Sequence, residues 1–248
     1  MSALRLRIVG PGRAGGALQL AAERVGWEVR APVRRGESLD RALDDVDLVV
    51  VATPDAAVAE VAAAMPRDTD VVVAHLAGSL GLDVLAGHAR RGALHPVVSL
   101  PSAEVGADLL LDGAWFAIAG DPVVARLVDD LGGRAVEVAD DARTMHHAAA
   151  TVAANHLVAL LAQVDRLAAR AGVPLEAYLA IAHGAIDNVG RLGPAGALTG
   201  PVARFDTATV GRHLDELDER ERALYLALAD EAALLAGRPT PVGGPAWR

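Results

Sequence analysis

The chain has 248 residues, 52% of them hydrophobic and only 3% aromatic, and carries a formal charge of −9. That length permits one large domain or two modest ones with an ample core built from small residues such as Ala and Val, which favour close helix packing. The acidic balance, with no basic stripe interleaved with aromatics, speaks against nucleic acid and against an anionic membrane surface, while leaving room for a basic pocket inside an acidic shell. There is no cysteine and no lysine, so every one of the 23 basic side chains is arginine. Disulfides, thiolate nucleophiles and cysteine-ligated metals are excluded. So is Schiff-base chemistry, and so is any mechanism in which a lysine ammonium donates a proton, because arginine stays charged.

In chain order, Met1 to Arg5 leads into the first strand without a signal-peptide core, and no apolar run reaches membrane-spanning length, which predicts a cytoplasmic protein. The run Leu4 to Val9 reads as a strand and is followed by Gly10-Pro11-Gly12-Arg13-Ala14-Gly15, which opens a helix-forming stretch. A G-x-G-x-x-G placed between strand and helix is a dinucleotide-binding turn. The first glycine allows the tight bend, the second lets a pyrophosphate approach the backbone, and the third lets the helix lie close on the strand. The unpaired N–H groups of the helix start supply the anion site, so Gly10, Gly12, Arg13, Ala14 and Gly15 are assigned to the cofactor.

About twenty residues further on, an NAD enzyme usually places an acid against the ribose 2′-hydroxyl. Here the second apolar run, Trp27 to Val33, ends in Arg34-Arg35-Gly36. Two guanidiniums at that point, with Arg13 nearby, suit a 2′-phosphate and predict NADP as the cofactor. Short Val-rich runs at Leu48 to Ala52 and Val71 to His75 read as buried parallel strands flanking a helix over Asp55 to Met65. Thr53 and Pro54, at a strand's carboxyl end where open α/β sheets bind ligands, are expected beside the cofactor. Strands are predicted near Ala93-Leu94, Ala114 to Ala119 and Ala135 to Val138, with a helix over Val123 to Leu131.

From Asp140-Asp141 onward the pattern turns helical. Ala142 to Arg170 is nearly continuous, too long and apolar for an ordinary surface helix, so at least two of its faces are expected to be covered. After a break at Gly172-Val173-Pro174 come a helix over Leu175 to Val189, a Gly/Pro-rich loop from Gly193 to Pro201, final helices within Thr207 to Leu235, and a Pro/Gly tail from Pro239. The expected organisation is a nucleotide-binding domain over residues 1–140 and a helical domain over 141–248.

This architecture resembles the superfamily of 6-phosphogluconate and β-hydroxyacid dehydrogenases, prephenate dehydrogenase, pyrroline-5-carboxylate reductase and ketopantoate reductases. Four stretches look more closely like Rossmann-like reductases whose helical C-terminal domain was long catalogued as of unknown function: the glycine turn, His75-Leu76-Ala77-Gly78-Ser79, Leu94-His95-Pro96, and His146-His147-Ala148-Ala149-Ala150 running on to Asn155. The loop Ala197 to Asp206, followed by Thr209-Val210 and His213-Leu214, is similar as well. The resemblance covers nearly the whole chain. It implies an α/β fold, a Rossmann-type doubly wound, mostly parallel sheet followed by an all-α domain that forms a homodimer.

The same resemblance supplies expected roles. Many β-hydroxyacid dehydrogenases carry a lysine four residues before an asparagine, but four before Asn155 this chain has Thr151. His95, beside Pro96 as in prephenate dehydrogenases, is therefore the candidate acid, imidazole being suited to proton transfer near neutral pH. A strand-end histidine bonded to backbone is the alternative. Asn155 and Thr151 share a helix face and are candidates to meet substrate, or else to form buried interhelical hydrogen bonds. One of His146 and His147 is expected to face the cleft. His75, Gly78 and Ser79 are expected to flank the nicotinamide or ribose, the alternative being ordinary turn chemistry. By likeness to pyrroline-5-carboxylate reductase, Arg204 is expected to reach a substrate carboxylate across a dimer, or else to pair with Asp206. The implied activity is NADPH-dependent reduction of the C=O of a small anionic substrate, ketopantoate to pantoate foremost. An imine or pyrroline-5-carboxylate-type reductase and a non-catalytic NADPH sensor or scaffold are the alternatives.

Overall fold

The structure, a computed structural model, describes residues 3–67, 70–238 and 242. The expected tail from Pro239 lies outside the described residues apart from Val242, as do Met1 and Ser2. By its internal contacts the chain divides into two units, Met1–His156 and Leu157–Arg248.

The first unit is built on seven strands: β1 (Arg5–Val9), β2 (Glu28–Val29), β3 (Leu48–Val51), β4 (Val72–His75), β5 (Arg91–Pro96), β6 (Trp115–Gly120) and β7 (Arg134–Glu137). Their order is β2-β1-β3-β4-β5-β6-β7. All neighbours are parallel except β5 and β6, which run antiparallel. Strand order reverses between β1 and β3, and in sheets of this kind the crevice for ligands opens at the carboxyl ends of the strands at that point. The second strand is shorter than the run Trp27 to Val33 predicts. Pro32 has no N–H to give to a ladder, so pairing lapses after Val29 and resumes only as a single bridge from Val33 to Val9.

Side-chain alternation explains why helices cover both faces of the sheet. Leu6, Ile8, Leu48 and Val50 belong to one apolar cluster, shared with helices α1 (Arg13–Arg24), α3 (Ala103–Leu111) and α4 (Pro122–Asp130). Val49, Val51 and Val73 belong to another, with Val58 and Ala62 of helix α2 (Asp55–Ala63). Small residues set the helix spacing. A Cβ added at Gly106 of α3 would lie 2.7 Å from the Ala17 methyl of α1. Helix α3 was not anticipated from sequence; its start is fixed by Ser102, whose hydroxyl accepts from the Val105 N–H at 3.2 Å.

After β7 a short 3₁₀ turn (Asp140–Ala142) leads into α5 (Arg143–Thr151) and one π-helical turn (Val152–His156). The contact boundary falls after His156 rather than after residue 140 because α5 packs on the sheet's carboxyl edge: Arg143 is fully buried, and the rings of His146 and His147 meet His95.

The second unit holds α6 (Leu157–Ala171), α7 (Leu175–Ala197, broken at Gly193 where φ is 71°), α8 (Thr207–Glu216) and α9 (Glu219–Leu235). Asp206 and Asp218 cap α8 and α9. Arg166 grips Glu221 through two hydrogen bonds of 2.6 and 3.1 Å. The expected cover over the spine is not found among the described residues: Met145, Val152 and Val158 on it are exposed, and α7 likewise has no buried residue. Nor does the absence of a spanning-length run survive helix formation, since the helical stretch Asp140–Ala171 is, by length and composition alone, long and apolar enough to cross a membrane.

Candidate active site

The glycine turn follows β1 as predicted. Gly10 sits at φ 89°, a conformation glycine alone adopts without strain, and its N–H donates to the Val33 carbonyl at 2.9 Å. A Cβ on Gly15 would strike the Gly10 carbonyl oxygen and lie 2.8 Å from the Ala52 methyl, so Gly15 is the packing glycine and lines no cavity. A Cβ on Gly12 would meet nothing within 4 Å. That space lies at the N-terminus of α1, which has no side-chain cap and no acid in its first turn, leaving N–H donors free for an anion.

Two adjoining cavities meet there. One, of about 520 Å³, is lined by Gly10, Gly12, Arg34, Arg35, Thr53 and Pro54 among others. The second, of about 730 Å³, is lined by Gly12, Arg13, Ala14, Thr53, Pro54, His95, His147, Thr151 and Asn155 among others. Gly12, Ala52, Thr53 and Pro54 line both, so the cavities form one groove across the switch point. Arg13, Arg34 and Arg35 form no ion pair among the described residues, whereas Arg5, Arg24, Arg41, Arg90 and Arg126 are each bound to an aspartate. The Thr53 hydroxyl, on a residue that lines both cavities, is buried without a partner among the described residues, and a buried hydroxyl normally has one. Open space over Gly12, free helix-start donors, unpaired guanidiniums and an orphaned hydroxyl are the features a dinucleotide phosphate would satisfy. Sequence reasoning missed two acids in the smaller cavity, Glu37 and Glu60. Glu37 accepts the Arg34 backbone N–H at 2.7 Å and thereby braces the arginine loop.

The far wall is a histidine cluster. His95 Nδ1 and His146 Nε2 are 3.0 Å apart, and the His147 ring packs edge-on to His95 with centroids at 5.8 Å. Gly78 makes this possible, since a Cβ there would lie 2.7 Å from the His147 ring and 2.9 Å from His95 Nε2. Gly78 therefore clears the space that the two rings occupy, beside His95 Nε2, and is not among the residues that line either cavity. The His75 side chain is fully buried, with Nε2 3.2 Å from the Gly81 carbonyl, a contact of the alternative turn reading, and it lines neither cavity. Ser79 donates to Asp55 at 3.1 Å, tying the loop after β4 to the start of α2, and lines neither cavity.

Thr151 and Asn155 both line the larger cavity and make no side-chain hydrogen bond among the described residues. The π turn over Val152–His156 adds a residue to the helical repeat exactly where the wall is formed, a distortion common at functional sites. Arg204 lies in the second unit, exposed. The alternative Arg204–Asp206 pair is not formed; Asp206 spends both oxygens on Thr209, at 3.0 and 2.8 Å.

Electrostatically the cluster resists protonation. Burial, then the neighbouring His146, His147 and Arg143, push His95 down from the ordinary 6.5 to about 4, against a small opposing pull from Asp55. Burial likewise lowers His75 and His146. Arg143, unnoticed in the sequence, is fully buried, with Asp140 3.7 Å away and no hydrogen-bond partner on its guanidinium among the described residues.

The unfolded chain binds more protons than the folded one between pH 6.5 and the depressed folded values, so stability is full above pH 6.5 and is lost as pH falls through that window, to about pH 4 for His95. The loss due to His95 is on the order of 3 kcal/mol. Urea unfolding at pH 8 and pH 4.5 is expected to show it, and His95→Gln is expected to flatten the dependence.

Residues 115–232 match a family model described as Domain of unknown function (DUF2520). No curated protein matches the chain. Among solved structures, a Bacteroides fragilis protein described provisionally as an NADP oxidoreductase superposes with a TM-score of 0.75 at 21% identity, covering 93% of this chain and 98% of that one. An Aspergillus terreus reductive aminase, solved with NADPH4, cyclohexanone and allyl amine, gives a TM-score of 0.64 at 16% identity over 99% and 90% of the two chains. Plasmodium falciparum pyrroline carboxylate reductase with NADP bound gives 0.64 at 12% over 95% and 99%. These likenesses establish the fold. It is the mostly parallel Rossmann-like sheet followed by helices that the sequence predicts.

Proposed function

We propose that the groove binds NADPH and that the chain is a cytoplasmic oxidoreductase reducing a small carboxylate-bearing substrate. One observation carries this reading: the two joined cavities run from the unpaired Arg34 and Arg35, past the open face of Gly12, to a wall bearing His95, Thr151 and Asn155. Gly10, Gly12, Arg13, Ala14 and Thr53 would hold the pyrophosphate, and Arg34 and Arg35 the 2′-phosphate. When bound, the cofactor supplies a hydride. The chain's residues orient the substrate, exclude water and deliver a proton. Thr151 and Asn155 offer hydrogen bonds to the reacting group, and Arg204 serves the carboxylate in a homodimer formed through the helical unit, whose bare apolar faces support such an assembly.

Ketopantoate reduced to pantoate is the first candidate for a C=O substrate, by resemblance. Reduction of a C=N bond, in an imine or pyrroline-5-carboxylate-type substrate, is favoured by the depressed His95: with a pKa near 4 its ring is neutral at pH 7 and stores no proton, whereas an iminium brings its own.

The test follows loss of nicotinamide absorbance with ketopantoate and pyrroline-5-carboxylate in parallel wells, with NADPH and with NADH. Turnover with NADPH in either well supports the reading. Firm NADPH binding with silence across ketoacids and cyclic imines would instead leave a non-catalytic sensor. Replacing Arg34 and Arg35 by alanine is expected to raise the Kd for NADPH about 10- to 100-fold, the worth of the lost charge-assisted hydrogen bonds, and to leave NADH affinity within about twofold. Equal weakening for both cofactors would refute the 2′-phosphate assignment.

A further inference from the structure

We propose that His146 is the positioning and proton-relay partner of His95, carrying protons from solvent to the cleft along the 3.0 Å contact between His146 Nε2 and His95 Nδ1. The inference rests on the reductase reading for its purpose but on geometry for its substance.

Three observations carry it. First, the contact joins one ring nitrogen of each histidine, so one of the two donates and the other accepts. That leaves His95 Nε2 to act on a ligand in the cavity the ring lines, and leaves His146 Nδ1 to meet water from a half-buried position. Second, the arrangement is built rather than incidental: Gly78 clears the space for His95 and His147, and α5 presents His146 and His147 from consecutive positions to the same imidazole. Third, the surroundings oppose a full positive charge on the pair. Arg143, fully buried one turn before His146 and His147, has no hydrogen-bond partner among the described residues. His147 and Arg143 face both rings, Asp55 is the acid facing His95, and Asp140 stands 3.7 Å from Arg143.

A neutral pair can deliver a proton without ever becoming an imidazolium. Reduction of a carbonyl consumes one hydride and one proton. The proton leaves His95 Nε2 for the substrate oxygen; His95 Nδ1 takes the proton of His146 Nε2; His146 Nδ1 takes one from water. Both rings remain neutral and exchange tautomers, and the net consumption is one solvent proton. Once product has left, His95 Nε2 is reprotonated by water and the shift runs back, His146 Nδ1 returning a proton to solvent. A histidine too acidic to hold a stored proton near pH 7 thus still serves as the donor.

The deciding experiment has two arms. Nitrogen NMR on the ¹⁵N-histidine-labelled protein is expected to show His95 and His146 coupled across the N···N contact, with His95 neutral at pH 7; His146→Gln is expected to abolish the coupling and shift the His95 tautomer balance. Independent titration of the two rings in the wild type, with that of His95 unchanged in His146→Gln, would overturn the proposal. In steady state, His146→Gln is expected to lower kcat for a ketoacid about 10- to 100-fold at pH 8 with KM within twofold, and His146→Ala to be partly restored by added imidazole. His147→Gln, which lacks the N···N contact, is expected to act on KM. A loss in His146→Gln that is uniform with pH and not rescued by imidazole would also overturn the relay. Should no substrate turn over, the reductase reading falls and the NMR arm alone judges the pair.

Discussion

Adding one methyl group at Gly15 is expected to destabilise the protein by up to about 3 kcal/mol and to abolish measurable NADPH binding, whereas the same methyl at Gly12 leaves folding intact and removes binding alone. The asymmetry comes from what each Cβ would meet. At Gly15 it collides with the Gly10 carbonyl and lies 2.8 Å from the Ala52 and 2.9 Å from the Ile8 methyl carbons, none of which can rotate away. Overpacking of this kind costs about 1–3 kcal/mol, against which alanine's better helix propensity returns up to about 1 kcal/mol. At Gly12 the Cβ enters open space; only a ligand pressed against the turn would register it. Thermal unfolding and NADPH titration of Gly12→Ala and Gly15→Ala separate the two effects. A Gly12→Ala protein that binds NADPH like the wild type would mean that no pyrophosphate lies on this turn.

The other large effect is chemical. His95→Ala is expected to lower kcat for a ketoacid substrate about 100- to 10,000-fold, the usual worth of a positioned acid, with the Kd for NADPH within about twofold, because the glycine turn and arginines that hold the phosphates are untouched. For a cyclic imine the expected loss is much smaller, since the substrate arrives protonated. Stopped-flow reduction of both substrates across pH 6 to 9 provides the comparison. A large loss for the imine as well would assign His95 to substrate positioning, and no loss for either would remove it from the chemistry.

The parts of this molecule governed by short-range rules were legible in the sequence. The turn from Gly10 to Gly15, the runs of valine in β3 and β4 and the break at Gly172-Val173-Pro174 each follow from steric or burial constraints on a few adjacent residues, and they lie where the pattern predicts, whereas the loop expected from Gly193 is helical as far as Ala197, with a kink at Gly193. Arg34 and Arg35 line the smaller cavity because the chain reaches it directly from the Val33 bridge. Helix α3 escaped notice because its nine residues bury a Gly-Ala-Leu face too small to stand out against an Ala-rich background. The true length of β2 depended on the missing N–H of Pro32, a single-residue effect inside an otherwise strand-like run.

What the sequence hid was assembled across distance. His95 and His146 are 51 residues apart, and which of the two consecutive histidines would face His95 by a nitrogen and which by a ring edge depended on how α5 turns over the sheet edge. Arg143 reads as one more surface arginine among many, and only its complete burial marks it out. The same lack of tertiary information hid the local contacts of His75, Gly78 and Ser79, where one strand-end side chain is buried, one glycine clears space and one hydroxyl binds Asp55.

The central claim, that the groove beside Gly12, Arg34 and Arg35 is a dinucleotide site selective for the 2′-phosphate, is tested most directly by calorimetric titration of the wild-type protein with NADPH and NADH at one ionic strength. Saturable binding of NADPH at one site per chain, at least about tenfold tighter than NADH, is the predicted result. No heat with either, or equal affinity for both, would contradict it.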